Sequence, residues 1–505
     1  MHIDRTKAED AILIFLMVFS PMFFGGVHVW VYSIVALLSL ALFDIHFLFR
    51  ASPAPFSEDS QKDPQVFRPR VFIRPESIAI ILFLVICAMY IVPLPTGVIN
   101  VISPKITEFR ETYAFNLPDR QTLSVYPRAT INYLIKLASF VMIYLVVLSK
   151  ITGGRYSEEV SRPRSVYPAF IMFGALAGAL SILFHSFVDF NLHIPGNTLF
   201  FTLMLTIIAA LGEGKNKVNY IFLNKLVNAI VIIGFCTALF GIIQWFSWNG
   251  KMFWIVKKPG SNFGPFVCYN NFAGFMEMTS FMTIALFYSG IFTSPLRHMK
   301  KFKDKVIWFS SSEANKTVLY LFASVVMVGS LFLSKSRGGI ISFALAFLVF
   351  AAVCVAISPR TRKTKLFIVA FFVLGLFVSM IFWLGPDVTI SRFRQLGIMI
   401  RHIKEGRESF YLLRPLMWID TVKIIRHFPL VGAGFGGYSN IFIIERSFSA
   451  NWGFLLYAHQ DYLHLLAEMG AVGAVFLTAF IAWYIKKFRN CLKRLRAGAE
   501  NLEKY

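Results

Sequence analysis

The sequence predicts an all-α polytopic membrane protein of about twelve transmembrane helices, with a long outside loop between the last two spans. Three observations lead there. Of the 505 residues, 56% are hydrophobic, and the mean hydropathy is +0.63, too apolar for a soluble domain. The apolar residues fall in runs long enough to cross a bilayer. Much of the Lys and Arg sits in short connections between those runs, the pattern of cytoplasmic loops. The net charge of +23 therefore reports topology, and its distribution argues against nucleic acid as a partner. The 55 phenylalanines suit lipid-facing helices.

Sliding-window hydropathy places the spans at approximately 11–27, 29–49, 77–95, 131–149, 167–188, 198–211, 226–248, 268–292, 317–334, 339–357, 366–384 and 465–485. The first follows a mixed-charge Met1–Asp10 segment with no small-residue cleavage site, so it is expected to remain a membrane helix. The sixth is short, hence little tilted or partly re-entrant. Threading these spans leaves Arg50–Arg74, Lys150–Arg164, Lys215–Lys225, Arg297–Lys316, Arg360–Lys365 and Lys486–Arg496 on one side. That side is expected to be the cytoplasm, with both termini inside. Cys87, Cys236, Cys268, Cys354 and Cys491 form no C-x-x-C pair and lie mostly in apolar spans, so neither a disulfide framework nor a zinc site is expected.

The outside connections differ in kind. Residues 97–130 carry Pro104, Pro118 and Pro127 and are expected to lie along the surface. Residues 249–265 are aromatic and contain Gly and Pro. The longest loop, 385–464, holds Arg392, Arg394, Arg401, Arg407, Arg414, Arg426 and Arg446 against only Lys404 and Lys423. Loops this long escape the positive-inside rule, so their charge reports function or solvation. Guanidinium groups hold phosphate in a bidentate fork, whereas an ammonium acts as a point charge. The plainer reading is an amphipathic helix resting on anionic headgroups. Within this loop, the Gly-rich turn Pro429–Gly437 is suited to bring backbone N–H groups to an anion, a weak signal alone.

Ionisable residues are concentrated at the start of the last span: His459, Asp461, His464 and Glu468. Such groups are expensive at that depth and need a reason. At about 100° per residue, Asp461, His464 and Glu468 share one helical face. His459 falls opposite, and is expected in the loop or first turn, facing the outside water. The alternative is a self-satisfied cluster that pins helices together. A metal site of these four residues is disfavoured because they do not share one face. A second element, Ser334-Lys335-Ser336-Arg337-Gly338-Gly339, interrupts the junction of the ninth and tenth spans. Its glycines permit a backbone break, and Arg337 would sit at the outer boundary; a simple polar turn is the alternative.

No ATP is available outside, so an enzyme there needs a pre-activated donor. A lipid-linked sugar diphosphate meets that need. Its leaving group needs charge stabilisation, which fixed arginines supply. The acceptor hydroxyl needs a base or orienter, and a histidine fits.

The Ser-Arg-Gly-Gly element, the Arg414…Pro429-Leu430-Val431-Gly432-Ala433-Gly434 run and His459-x-Asp461-Tyr462-Leu463…Glu468-x-Gly470, in this order, resemble the O-antigen ligase and O-antigen polymerase family of bacterial inner-membrane proteins. Leu123-Ser124…Tyr126-Pro127…Ala129-Thr130 and Gly264-Pro265-Phe266…Asn270-Asn271-Phe272-Ala273-Gly274 match further segments, and the resemblance runs from about Met1 to Gly473. It implies a GT-C-like glycosyltransferase working at the periplasmic face without metal or other cofactor. The donor implied is an undecaprenyl-diphosphate-linked glycan, the acceptor lipid A core or another glycan, and the surroundings membrane lipids. By position, Arg337 and Arg414 would hold the diphosphate and His459 would orient or deprotonate the acceptor. Glu468 would support the first turns of the last span, with Asp461, His464, Lys335 and Asn270 as supporting residues.

The chain departs from the family pattern twice. Related proteins often carry Arg and His where this one reads Cys268-Tyr269-Asn270-Asn271. The segment His185–Asn197 resembles one that relatives usually place after the His…Glu…Gly helix. The chain thus divides into 1–150 with four spans, a relocated two-span hairpin 151–217, and a catalytic membrane region 218–505. A two-span hairpin can move without inverting anything downstream and dock from a new connection point. Asp189 and His193 would then lie outside, read as loop polarity in preference to a second acidic–basic pair. Other readings are a polymerase on the same donor, a non-enzymatic flippase or transporter, and a cell-wall polymerase of the shape, elongation and division type. Transporters place charge near the midplane and show repeats; here only Lys136 and Glu277 stand out in the spans, and no repeat is evident.

Overall fold

The computed structural model describes residues 5–48, 71–113, 118–153, 166–212, 218–257, 262–295, 299, 301–357, 413–448 and 455–503. These residues are almost wholly helical. Among the described residues, eight helices are long and apolar enough to cross a membrane. They are α2 (Val29–Phe47), α6 (Pro127–Thr152), α7 (Tyr167–His185), α9 (Tyr220–Phe246), α10 (Tyr269–Thr293), α12 (Ser312–Leu333), α13 (Arg337–Ala356) and the last helix, α16 (Asp461–Glu503). Three of the expected spans fall on helices outside that group: α1 (Arg5–Met22), with four charged residues in its first turns, and the shorter apolar α3 (Pro75–Met89) and α8 (Pro195–Leu211). The expected span 366–384 and the loop arginines Arg392, Arg394, Arg401 and Arg407 lie outside the described residues.

The 97–130 connection contains structure of its own. Helices α4 (Thr96–Ile102) and α5 (Pro104–Tyr113) lie between two short strands, Leu94–Pro95 and Arg120–Gln121, which pair antiparallel. Arg110 ties them together through the carbonyl oxygens of Thr122 (2.8 Å) and Ser124 (2.7 Å). The segment 486–496, expected as a cytoplasmic connection, is a helical continuation of α16. Lys487 on it is buried against Glu76 of α3 at 2.5 Å. The remaining elements are α11 (Phe302–Phe309), α14 (Leu413–His427) and α15 (Tyr438–Glu445).

The main core gathers α7, α8 and α10 with parts of their neighbours: Phe170, Phe173, Phe200, Phe275 and Phe281 are all fully buried. Glycines let α7 approach α10 closely. A Cβ on Gly174 would stand 2.7 Å from Ala285 Cβ, and one on Gly178 2.9 Å from the Met278 carbonyl oxygen. The hairpin 166–212 is therefore buried within the core, wedged between α10, α13 and α16. A second core joins α14, α15 and the start of α16 to α3, α4 and α5, around Tyr90, Phe428, Tyr438 and Phe442.

α16 is broken at Gly470, where φ is 54° and ψ is −137°. The titratable residues thus occupy a short helical piece ahead of the membrane-length part. The break exists because the Pro429–Gly437 turn packs directly on it. Gly432 has φ +69°, and a Cβ there would lie 2.2 Å from the Glu468 carbonyl carbon; a Cβ on Gly470 would lie 2.6 Å from the Pro429 carbonyl oxygen. Both positions need a left-handed residue without a side chain. Gly432→Ala and Gly470→Ala are each expected to cost at least about 2 kcal/mol. Gly97→Ala, where a Cβ meets open space, should change the unfolding temperature little. Thermal unfolding in detergent measures all three; equal behaviour would contradict this packing.

Candidate active site

The α7–α8 turn supplies the centre of the site. Helix α7 ends at His185, whose carbonyl oxygen accepts from Val188 N (3.0 Å) and Asp189 N (3.1 Å). A 3-10 turn, Asn191–His193, then leads into α8. This geometry sets Asp189 inward, 1% exposed. Its Oδ1 accepts from Phe190 N at 2.9 Å and lies 3.4 Å from His459 Nδ1. Its Oδ2 accepts from Asn270 Nδ2 and lies 3.5 Å from Arg414 Nη2. Asp189 and His193 are thus contact-making site groups, and the loop-polarity reading is corrected.

The groups around Asp189 are held in turn. Asn270 opens α10, and its Oδ1 accepts from Ser336 Oγ at 2.8 Å. Ser336 also caps α13 by accepting from Gly339 N at 3.2 Å. Arg414 Nη1 donates to the Val188 carbonyl at 2.8 Å, with the side chain 42% exposed. Helix α14 further grips the loop before α16 through Trp418 Nε1 and the Ala458 carbonyl, 3.1 Å apart. His459 lies in that loop with φ +50°, an unusual conformation for a histidine. Its ring rests edge-on against Phe190, 4.6 Å between centroids, and its side chain is 28% exposed. A strained backbone at a residue facing a buried carboxylate points to function.

The helix beginning at Asp461 is joined to the α7–α8 turn at several points. Asp461 N donates to the Ser186 carbonyl at 2.9 Å, and Tyr462 Oη to the Leu183 carbonyl at 2.7 Å. Asp461 Oδ1 faces His193 Nδ1 at 2.7 Å, and its Oδ2 accepts from Leu192 N at 3.2 Å. Although they share a helical face, the three residues divide between two partners. Asp461 serves His193, whereas Glu468 Oε1 lies 3.2 Å from His464 Nε2. His464 Nδ1 accepts from Ala458 N at 3.4 Å, placing the ring proton on Nε2. The rings of His193 and His464 meet at 4.3 Å.

The Gly-rich turn serves an anion of the chain itself. Ala433 N and Gly434 N donate to the carbonyls of Ala467 (2.9 Å) and Glu468 (3.0 Å), and Tyr438 N to Glu468 Oε1 at 3.3 Å. The expected cradle for an external anion is thus occupied by the turn before Gly470 and its carboxylate.

Arg337 is the first residue of α13 and is exposed. A cation is unfavourable at that helix end, which instead suits an anionic ligand. Its neighbour Gly338 packs on His185, so Arg337 and Arg414 flank the same 185–189 turn. Lys335, with φ +59°, turns away: its Nζ lies 4.9 Å from the Trp245 ring. Among the described residues, no group of three or more His, Cys, Asp or Glu is arranged to hold a metal ion.

Residues 322–478 match the family described as O-antigen ligase. The chain carries an O-antigen ligase domain. Its membrane-length helices mark it as a multi-pass membrane protein, and the matched region points to the O-antigen ligase/polymerase type, a family of glycan-processing enzymes. No curated protein and no solved structure matches the chain. Of the residues expected at the site, all but Asn270 fall inside the matched region; Asp189 and Asn270 come from outside it. The sequence carried a signal for Asp189 in the four-residue spacing of His185, Asp189 and His193.

Burial pushes the Asp189 carboxyl up, but contact with His459 and the charges of Arg414, His185 and His459 outweigh it and hold it at about 2. Its folded value is depressed, so its contribution is complete above the free value of about 3.9 and is lost as pH falls through about 2. Asp189→Asn should therefore lower activity by one factor, about 10²–10³, at every pH from about 5 to 9. A pH–rate profile checks this. A deficit that closes toward the acid end would mean that Asp189 titrates there.

Proposed function

We propose that the protein transfers a glycan from undecaprenyl diphosphate to an acceptor hydroxyl at the periplasmic face of the bacterial inner membrane, as an O-antigen ligase using lipid A core. The observation that carries this reading is the buried Asp189 carboxylate, contacted by both His459 and Arg414. A carboxylate on one ring nitrogen fixes the orientation and tautomer of a histidine, leaving the other for the acceptor. His459 Nδ1 meets Asp189, so Nε2 takes the hydroxyl proton. The acceptor oxygen then attacks the anomeric carbon as the bond to the diphosphate breaks. The charge that develops on the leaving diphosphate falls to Arg337 and Arg414. The scheme uses no metal, because two guanidiniums supply the positive charge. Glu468 and Asp461 hold the His464 and His193 rings that pack behind the loop bearing His459.

This reading extends to the whole architecture a GT-C-like fold of about twelve spans, both termini in the cytoplasm, and a hairpin 151–217 that docks where relatives place a C-terminal segment. The close packing of α7–α8 against α10 and α16 supports that docking.

The test is release of undecaprenyl diphosphate from a lipid-linked glycan by purified protein in liposomes, with and without lipid A core. Arg337→Ala and Arg414→Ala should reduce transfer at least about 10²-fold with the protein still inserted, and Arg→Lys should restore little. His459→Ala should stop turnover while donor binding persists. Full recovery by lysine would remove the diphosphate clamp from the scheme. Release without core, with lengthening lipid-linked chains, would make the protein a polymerase.

A further inference from the structure

Beneath the site lies a second pair of ionisable groups to which the proposed transfer assigns no task. His185, at the end of α7, and Glu277, in the middle of α10, are both fully buried. His185 Nδ1 lies 2.8 Å from Glu277 Oε1, and Glu277 Oε2 accepts from Ser181 Oγ at 2.8 Å. A buried ion pair is a poor source of net stability, because desolvation offsets the attraction between its members. Packing α7 on α10 does not require one: the close contacts of Gly174 with Ala285 and of Gly178 with Met278 already join these helices.

The surroundings of the pair point to another role. The first turn of α13 rests directly on it. A Cβ on Gly338 would stand 2.8 Å from His185 Nε2, and one on Gly339 would stand 3.0 Å from Glu277 Oε1 and 2.5 Å from Ala273 Cβ. Any larger residue would lift the turn that begins with Arg337. The carbonyl oxygen of His185 also receives the N–H groups of Val188 and Asp189, so the same residue starts the turn that carries Asp189 and the Val188 carbonyl held by Arg414. One buried residue thus touches the supports of both arginines, with its ring under the first turn of α13 and its carbonyl oxygen under the turn that carries Asp189. Its Nε2 has no hydrogen-bond partner among the described residues and faces the N-terminal end of α13.

We infer that His185 and Glu277 are a positioning pair that sets the spacing between Arg337 and the Asp189–Arg414 group, and hence the fit of the site to a diphosphate. The inference rests on the proposed transfer reaction. His185 and Glu277 are positioning residues: neither reaches the surface, and each acts through the turn above it. Their substitution should weaken the donor selectively, because the acceptor is handled by His459. Glycine is needed at 338 for the same reason, and a methyl group there should produce the same defect from the opposite side of the contact.

The experiment is steady-state transfer in liposomes with Glu277→Gln, His185→Asn and Gly338→Ala, varying donor and acceptor separately, alongside thermal unfolding of each protein. Glu277→Gln keeps a hydrogen-bonding group of the same size and removes the charge. All three variants should raise the KM for the lipid-diphosphate donor about tenfold. The KM for the acceptor should stay within about twofold, and the unfolding temperature should not account for the change. The double variant His185→Asn with Gly338→Ala should lose less than the product of the two single effects, since the smaller side chain makes room for the methyl group. Unchanged donor KM in Glu277→Gln and Gly338→Ala, with wild-type protein active, would overturn the inference and leave the transfer reaction standing. Activity that falls only in step with unfolding temperature would reduce the pair to a staple between α7 and α10. No transfer by the wild-type protein would remove the reaction itself, and the inference with it.

Discussion

Asp189 is a carboxylate with almost no access to water, and its partners come from four separate parts of the chain. His459 precedes the last helix, Arg414 opens α14, Asn270 opens α10, and the backbone of Phe190 closes the near side. A buried anion left without partners is costly, so the segments that supply them are drawn to one point. The Asn270–Ser336 hydrogen bond extends this constraint to the cap of α13 and so to Arg337. The arrangement of the site can be traced outward from this one group.

The same principle recurs at a second buried carboxylate. Glu468 is satisfied by His464 and by the turn after α14, which approaches so closely that residues 432 and 470 must both be glycine. This contact breaks the last helix at Gly470 and separates a short first piece, holding Asp461 and His464, from the membrane-length part that follows. That part is fastened part-way along by Lys487 on Glu76. The last helix is therefore held at its start and again part-way along by buried charge, and the loop bearing His459 inherits its position from the first of these contacts. In the proposed reaction, these contacts keep the histidine in place while the diphosphate leaves.

The hairpin 166–212 shows why position in the sequence is a poor guide to position in the site. Most of its residues are apolar and buried, and its short turn delivers His185, Asp189 and His193 to the face where α10, α13 and α16 begin. A two-helix unit that crosses and returns can be connected at different points without disturbing its neighbours. Its docking depends on the Gly174 and Gly178 contacts with α10.

Hydropathy, charge placement and residue spacing are local properties, and they were sufficient for the membrane class and the approximate location of the long helices. They also showed that Asp461, His464 and Glu468 share a face, because helical periodicity is local. Which partner each takes on that face is a matter of packing. Only the tertiary structure paired Asp461 with His193 and Glu468 with His464, turned Lys335 onto Trp245, and gave the Gly-rich turn to the chain's own carboxylate. It also made Asp189 the centre of the site, although the residue stands in a short turn whose polarity has an ordinary explanation. The physical reason is the same in each case. Sequence sets which groups must find partners in a medium without water; the close approach of helices far apart in the chain decides which partners they find.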